Sequence, residues 1–137
     1  MIFIDTSAWI AIEDKRDVNH DAALEFKENI VSTRNRLITT NYVLDETYTL
    51  LLLDLGYSRA IRFKQGLDEL VRRNLVIVDH INSDIERTAW EVFAEFNKDK
   101  FWSFTDCTSK VVMERYSLTE SFTFDKHFEQ MGFVKRP

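Results

Sequence analysis

The 137-residue sequence has few residues that break helices or cross-link loops: three glycines, one cysteine and a single proline, the C-terminal Pro137. Helices can therefore run uninterrupted, and few tight hairpin turns can form. Cys107 has no partner for an intrachain disulfide, as is typical of a reducing compartment. A chain of this length buries about two-thirds of its unfolded surface around one core. We expect a single helix-rich domain.

Long apolar runs and an excess of positive charge are also absent. The most apolar stretch, Leu50 to Leu53, is followed by Asp54 and falls far short of the about 20 residues that span a bilayer. No basic segment precedes the apolar N-terminus, so no signal peptide is predicted. We expect a soluble, cytoplasmic protein with no membrane association. The net charge of −5 argues against general affinity for nucleic acid, which depends on Lys and Arg near the phosphates.

Short apolar runs alternate with helical patterns along the whole chain. The pattern predicts strands at 2–4, 37–39, 75–78 and 121–124, and helices at 7–13, 20–30, 42–55, 58–73, 83–97, 105–116 and 126–131. Strands separated by helices favour a parallel sheet with right-handed crossovers and helices on both faces. The predicted fold class is therefore α/β, with a three-layer α/β/α arrangement around a central parallel sheet.

Four acids lie where a predicted strand meets a helix, or just inside a helix: Asp5, Glu46, Asp106 and Asp125. Asp5 follows the first strand and Asp125 follows the last. In a parallel sheet these strand ends share one edge, where open α/β sheets usually place their ligand sites. Carboxylates gathered there would repel one another and retain protons unless a divalent cation neutralised them. The pattern indicates a metal-dependent enzyme.

Three of these acids also have a purely structural explanation. Asp5 and Asp125 could each cap the helix that follows. Asp106 stands three residues after Ser103, an arrangement close to a capping box, and an acid in the first turn suits the helix dipole. Helix capping and metal binding therefore both remain open for these positions.

The acid in the third predicted helix is ambiguous. Glu46 has apolar neighbours one helical turn away on either side, where an unpaired charge is costly. Asp45, about 100° further round the helix, also has an apolar neighbour in Leu52. Periodicity therefore cannot choose between Asp45 and Glu46.

The histidines and the cysteine give weaker signals. His20, His80 and His127 show no zinc-ligand spacing with one another or with Cys107. We expect His127 to pack or to cap. The carboxylate of Asp106 would raise the pKa of the adjacent Cys107 thiol, which favours a small buried residue over a nucleophile.

Four segments, at 2–9, 40–47, 104–107 and 122–128, resemble motifs of PIN-domain ribonucleases, in particular the VapC-type toxins of prokaryotic toxin–antitoxin pairs. The second segment resembles the family motif in a way that assigns the acid to Glu46 rather than Asp45. The resemblance spans essentially the whole chain, which implies a single PIN-like domain over residues 1–137. The implied activity is a metal-dependent endoribonuclease that cuts phosphodiester bonds in RNA.

The resemblance also implies roles for individual residues. The implied catalytic residues are Asp5, Glu46, Asp106 and Asp125. Asp5 and Asp106 would be the main ligands of Mg²⁺ or Mn²⁺, and Asp125 would support the ion directly or through water. Glu46 would position or deprotonate the attacking water. The hydroxyls that would orient these carboxylates belong to Thr6 and Thr123.

Partners are expected as well. Apolar residues of the first and third helices, namely Trp9, Ile10, Ile12 and Leu50 to Leu55, exceed what one small sheet can easily cover, and exposed apolar patches often mark interfaces. The resemblance implies an RNA substrate, an antitoxin protein and a homodimer. The alternative is a non-catalytic PIN-like module for RNA binding or assembly.

Overall fold

The computed structural model describes all residues, 1–137, and a five-stranded parallel sheet lies at its centre. The strands are β1 (Ile2–Ile4), β2 (Leu37–Thr40), β3 (Val76–Asp79), β4 (Glu120–Phe122) and β5 (Val134–Arg136). Their order across the sheet is β3-β2-β1-β4-β5, and every neighbouring pair is parallel. The predicted three-layer α/β/α class with a central parallel sheet is confirmed.

Seven helices connect the strands: α1 (Thr6–Glu13), α2 (His20–Ser32), α3 (Asn41–Leu55), α4 (Tyr57–Arg72), α5 (Ser83–Phe96), α6 (Phe104–Arg115) and α7 (His127–Gln130). Every predicted helix and strand is present, with ends displaced by at most two residues. The agreement follows from the scarcity of glycine and proline, because few positions compete to end a helix.

The strand β5 is absent from the sequence-based prediction. It is three residues long, pairs only with β4, and has an exposed first residue, Val134, at 47% exposure. An edge strand with Lys135 and Arg136 resists pairing with other chains. The same polar character removes the apolar run by which a buried strand is recognised.

The central strand β1 sets the position of the functional edge. Phe3 and Ile4 are fully buried because β1 is flanked by β2 and β4 and covered on both faces. The chain continues in register with β4 for one more residue, since the backbone N–H of Asp5 donates to the carbonyl of Phe122 at 3.1 Å. The residues that follow β1 and β4 therefore emerge side by side.

The expected apolar surface is only partly present. Trp9 is not exposed: 5% of it reaches solvent, and its ring meets Phe63 of α4 edge to face at 5.4 Å between centroids. The α1 residues partly buried against the core are Ile10 and Ile12. On α3, Leu51 is fully buried, whereas Leu52 and Leu53 are 51% and 73% exposed. None of the seven helices combines the length and apolar character needed to cross a membrane.

Two glycines make a matched test of the α3–α4 connection. Gly56 joins the helices at φ 85° and ψ 173°, a region that is strained for any residue with a Cβ. We expect Gly56→Ala to lower the free energy of unfolding by about 1–3 kcal/mol. Gly66 lies within α4, where an added Cβ meets nothing within 4 Å, so Gly66→Ala should raise it by about 0.5–1 kcal/mol. Urea denaturation measures the free energy of unfolding of both variants. A similar loss of stability in both would contradict the assignment of the Gly56→Ala effect to backbone strain.

Candidate functional site

The carboxyl-terminal edge of the sheet opens into a cleft of about 420 Å³. All four sequence-predicted acids line it, namely Asp5, Glu46, Asp106 and Asp125. The remaining lining residues are Thr6, Ser7, Ile10, Asp17, Asn19, Leu50, Phe101, Ser103, Phe124 and His127. The structure thus brings together acids that are up to 120 positions apart in the chain (125 − 5 = 120).

Asp5 occupies the junction between β1 and α1 and caps that helix. Its Oδ2 accepts hydrogen bonds from the Ser7 backbone N–H at 3.3 Å, the Ser7 Oγ at 3.0 Å and the Thr123 Oγ1 at 3.2 Å. Its Oδ1 accepts none and is the oxygen left for a ligand. The capping explanation and the site explanation are therefore compatible, because each uses a different oxygen of one carboxylate.

Burial shapes the charge state of Asp5. The residue is 6% exposed, and desolvation raises its pKa from 3.8 to about 6. Hydrogen bonds from the side chain and backbone of Ser7 lower the pKa again, while the charge of Asp106 adds to the increase. Repulsion between these two carboxylates is the effect expected where a cation is meant to sit between acids.

Asp106 begins helix α6 and also faces the cleft. Ser103 and Asp106 form a complete capping box: the Ser103 Oγ accepts from the Asp106 backbone N–H, and the Asp106 Oδ2 accepts from the Ser103 backbone N–H, both at 2.9 Å. The same Oδ2 lies 3.1 Å from Nδ1 of His127. The Asp106 Oδ1 accepts no hydrogen bond.

His127, which was expected to pack or to cap, lies among the acids. Its backbone N–H donates to Oδ1 of Asp125 at 2.8 Å, and its Nδ1 lies 3.4 Å from Oδ2 of Asp125. One ligand atom from each of Asp106, Asp125 and His127 falls within 4.8 Å of the other two. Because a carboxylate only accepts, the contact with Asp106 is a hydrogen bond when Nδ1 carries the proton. The position of His127 two residues after Asp125 did not indicate, in the sequence, that its ring would contact the acids.

Glu46 points into the cleft from α3, and Asp45 is exposed outside it. The hydroxyl of Thr6 donates to Oε2 of Glu46 at 3.0 Å and also lies 3.3 Å from the carbonyl of Val43. The Glu46 Oε1 accepts no hydrogen bond. The geometry therefore separates the two acids that helical periodicity could not separate.

Both threonine hydroxyls that were expected to orient the acids contact a carboxylate of the cleft: Thr123 donates to Asp5 and Thr6 donates to Glu46. Ser7, which sequence reasoning missed, is the most connected hydroxyl: its Oγ contacts Asp5 and Thr123 and accepts from the Phe124 backbone N–H at 2.9 Å. Ser7 thereby links α1 to the loop after β4.

The donor set suits a hard divalent cation. Each of the four carboxylates has one oxygen held by a hydrogen bond and one that accepts none, so the free oxygens are pre-oriented by the fold. Carboxylate oxygens are the ligands that Mg²⁺ and Mn²⁺ prefer, and Mg²⁺ fills its remaining positions with water. Cys107 offers no alternative: it is fully buried, and burial together with Asp106 raises its pKa to about 11.

Comparison with known proteins identifies the family to which the chain is similar. The PIN domain model matches residues 2–134. The chain is 34% identical over 136 residues to the 23S rRNA-specific endonuclease VapC20 of Mycobacterium tuberculosis, covering 98% of this chain and 97% of the relative. It is 33% identical over 128 residues to a VapC ribonuclease of Archaeoglobus fulgidus, covering 91% of this chain and 77% of the relative. The crystal structure of Mycobacterium tuberculosis VapC20, described as a Sarcin-Ricin loop cleaving toxin, superposes with a TM-score of 0.83 at 31% identity and full coverage of both chains.

The raised pKa of Asp5 predicts a pH-dependent stability change. The folded state binds the Asp5 proton more tightly than the unfolded chain, so ionisation destabilises the fold as the pH rises from about 4 through about 6. Asp5→Asn keeps a hydrogen-bond acceptor without the charge. In metal-free buffer it should raise the free energy of unfolding by about 3 kcal/mol near pH 8 and by about 1 kcal/mol near pH 4.5.

Urea denaturation at the two pH values measures this difference. Asp84→Asn is the control, because Asp84 is an exposed acid in the first turn of α5, outside the cleft. An equal effect of Asp5→Asn at both pH values would contradict the electrostatic explanation.

Proposed function

The chain belongs to the PIN-domain family, within its VapC group, and on that premise we propose that it is a divalent-metal-dependent endoribonuclease. The observation that carries the proposal is the convergence of four carboxylates on one cleft, each with one oxygen free of hydrogen bonds. An anionic cleft would repel a phosphodiester unless a cation lay between the two. The site therefore suits metal-assisted hydrolysis of RNA.

Three acids are proposed as the ligands of Mg²⁺ or Mn²⁺: Asp5, Asp106 and Asp125. When bound, the ion would neutralise the cluster, polarise the scissile phosphate and lower the pKa of water. His127 holds Oδ2 of Asp106, which directs the free Oδ1 into the cleft. Ser7 and Thr123 do the same for Asp5. Their contribution is to fix the carboxylates before the ion arrives, as partners of metal ligands commonly do.

Glu46 is proposed to accept the proton of the attacking water. Thr6 ties down Oε2, so Oε1 is the oxygen that faces the water. As the water oxygen bonds to phosphorus, the proton passes to Oε1, the phosphorus bond to the leaving ribose oxygen breaks, and that oxygen takes up a proton from solvent. The fixed side chain contributes positioning as well as basicity.

The substrate is proposed to be a structured RNA. A relative that is 34% identical is named a 23S rRNA-specific endonuclease, and the 31% identical structure is described as a Sarcin-Ricin loop cleaving toxin. We therefore propose a stem-loop of 23S rRNA as the substrate and as the first RNA to test.

A toxin role with an antitoxin partner is also proposed, together with a homodimer. The description of the 31% identical structure as a toxin supports it. So does α3, where Leu50 at the cleft is 39% exposed and Leu53 is 73% exposed, because exposed apolar residues near a functional site often mark a partner surface. The competing function, a non-catalytic PIN-like module, shares the fold but predicts no turnover.

The metal site gives the first functional prediction. Asp5→Asn and Asp106→Asn should each abolish Mn²⁺-dependent cleavage of the RNA stem-loop and weaken Mn²⁺ binding at least tenfold, because each removes a charged ligand. Titration calorimetry and a cleavage assay with and without EDTA measure the two effects. Asp84→Asn, outside the cleft, serves as the control. Unchanged Mn²⁺ affinity in both site variants would leave helix capping as the only role of these acids.

The second functional prediction separates Glu46 from Asp45. Glu46→Gln keeps the side-chain shape and the Thr6 contact but cannot take a proton, so cleavage should fall by about 100-fold or more. Asp45→Asn changes an exposed neighbour and should retain most activity. Single-turnover cleavage rates decide the matter, and similar rates for the two variants would refute the assignment of the base.

A further inference from the structure

An exposed aromatic side chain stands at the cleft without an assigned role. Phe101 lines the cleft together with the four acids, yet it is 90% exposed. It is the most exposed aromatic residue of the chain; the next, Tyr57, is 72% exposed and lies at the start of α4, away from the cleft. Phenylalanine is normally among the buried residues. An isolated ring held in water beside a catalytic cleft calls for a ligand.

The residues next to Phe101 hold it in this exposed position. Trp102 is 3% exposed and stacks on Phe96. Its backbone N–H and carbonyl pair with the Asn97 side chain at 2.9 and 3.0 Å, and its indole N–H donates to Gln130 at 2.9 Å. These contacts fix the backbone of the segment that carries Phe101. The exposed ring therefore belongs to an ordered segment and not to a loose loop.

The same short segment leads directly into the acids. One residue beyond Trp102, the Ser103 backbone N–H donates to Oδ2 of Asp106. The backbone that carries Phe101 is thus tied to a carboxylate of the cleft through two consecutive anchored residues. A group stacked on the ring would lie at the cleft that holds the acids.

The surroundings favour a nucleotide over an apolar peptide anchor. Only four of the 14 residues that line the cleft are hydrophobic, so most of the side chains that share the cleft with the ring are polar or charged. Lys98 and Lys126 are exposed and form no ion pair with any residue of the chain. One lies three positions before Phe101 and the other between Asp125 and His127. Unpaired lysines close in sequence to cleft residues are available to phosphates on either side of a base stacked on the ring, and single-stranded RNA alternates phosphates and bases in this way.

We propose that Phe101 is the stacking platform for an unpaired nucleobase next to the scissile phosphate. This proposal rests on the proposed ribonuclease function and adds the feature of RNA that the cleft selects. A base can lie on the ring only if its face is free, so the enzyme should require an unstacked nucleotide beside the cut. Purines, with the larger face, should be preferred there.

The test uses variants that separate the aromatic ring from mere apolarity. Phe101→Leu keeps an apolar side chain without a ring, and Phe101→Tyr keeps the ring. Tyr57→Ala is the matched control, because it removes an exposed aromatic residue outside the cleft. The probe is the 23S rRNA sarcin–ricin stem-loop with 2-aminopurine in place of each loop base in turn.

The wild-type protein, Phe101→Tyr and Tyr57→Ala should quench 2-aminopurine at one loop position beside the cut. Phe101→Leu should lose this quenching and raise KM about tenfold with little change in kcat, because stacking contributes to binding rather than to chemistry. Mn²⁺ affinity should remain at the wild-type value in all four proteins, since none of these side chains holds a carboxylate.

Two outcomes would overturn the proposal in distinguishable ways. If the wild-type protein cleaves the stem-loop and Phe101→Leu leaves both KM and quenching unchanged, the role of Phe101 fails while the nuclease function stands. If, in addition, Phe101→Leu weakens binding of the antitoxin, the ring contacts a protein partner instead of a base. If the wild-type protein cleaves no RNA with Mn²⁺ present, the nuclease function itself fails and the stacking role falls with it.

Discussion

The burial of a charged group at the end of the central strand is the constraint that organises this molecule. Asp5 emerges from β1, which lies between β2 and β4, so little of its carboxyl group reaches bulk water. Hydroxyls from α1 and from the loop after β4 converge on it, yet its pKa still lies near 6. Internal hydrogen bonds therefore offset only part of the desolvation cost, and the protein alone does not balance the charge. The divalent cation proposed for the site would neutralise the remaining charge.

The fold could be predicted from the sequence because its signals are local and unopposed. Apolar triplets such as Ile2 to Ile4 are long enough to mark buried strands, and the chain has few glycines or prolines to interrupt its helices. The sequence-based prediction failed where the polarity of a segment did not reveal how buried or how paired it is. The strand β5 is recognisable only through its pairing with β4. Trp9 was expected at the surface, but its partner Phe63 comes from α4, and such a long-range contact leaves no trace in local periodicity.

The same distinction between local signals and long-range contacts applies to the site. The acids could be located because their positions relative to strand ends and helix starts are readable in the chain. Which oxygen each acid offers depends on donors from distant segments, as with Thr123 and Asp5 or Thr6 and Glu46. His127 shows the limit most clearly: only the packing of α7 against α6 brings its ring to Asp106. Pattern reasoning thus finds charged residues more readily than the neutral groups that orient them.

The capping box at the start of α6 has a consequence for how relatives of this chain are sorted into active and inactive enzymes. Asp106 satisfies the backbone N–H of Ser103, so a descendant that no longer cleaved RNA would still be under selection to keep it for the integrity of the helix. Glu46 accepts a single side-chain hydrogen bond and is half-buried in the cleft with three other acids, where a carboxylate without a function only adds repulsion. On the role proposed for Glu46, retention of the glutamate is therefore the more discriminating mark of a working nuclease, and its replacement by an apolar residue should be the earliest sign of lost activity.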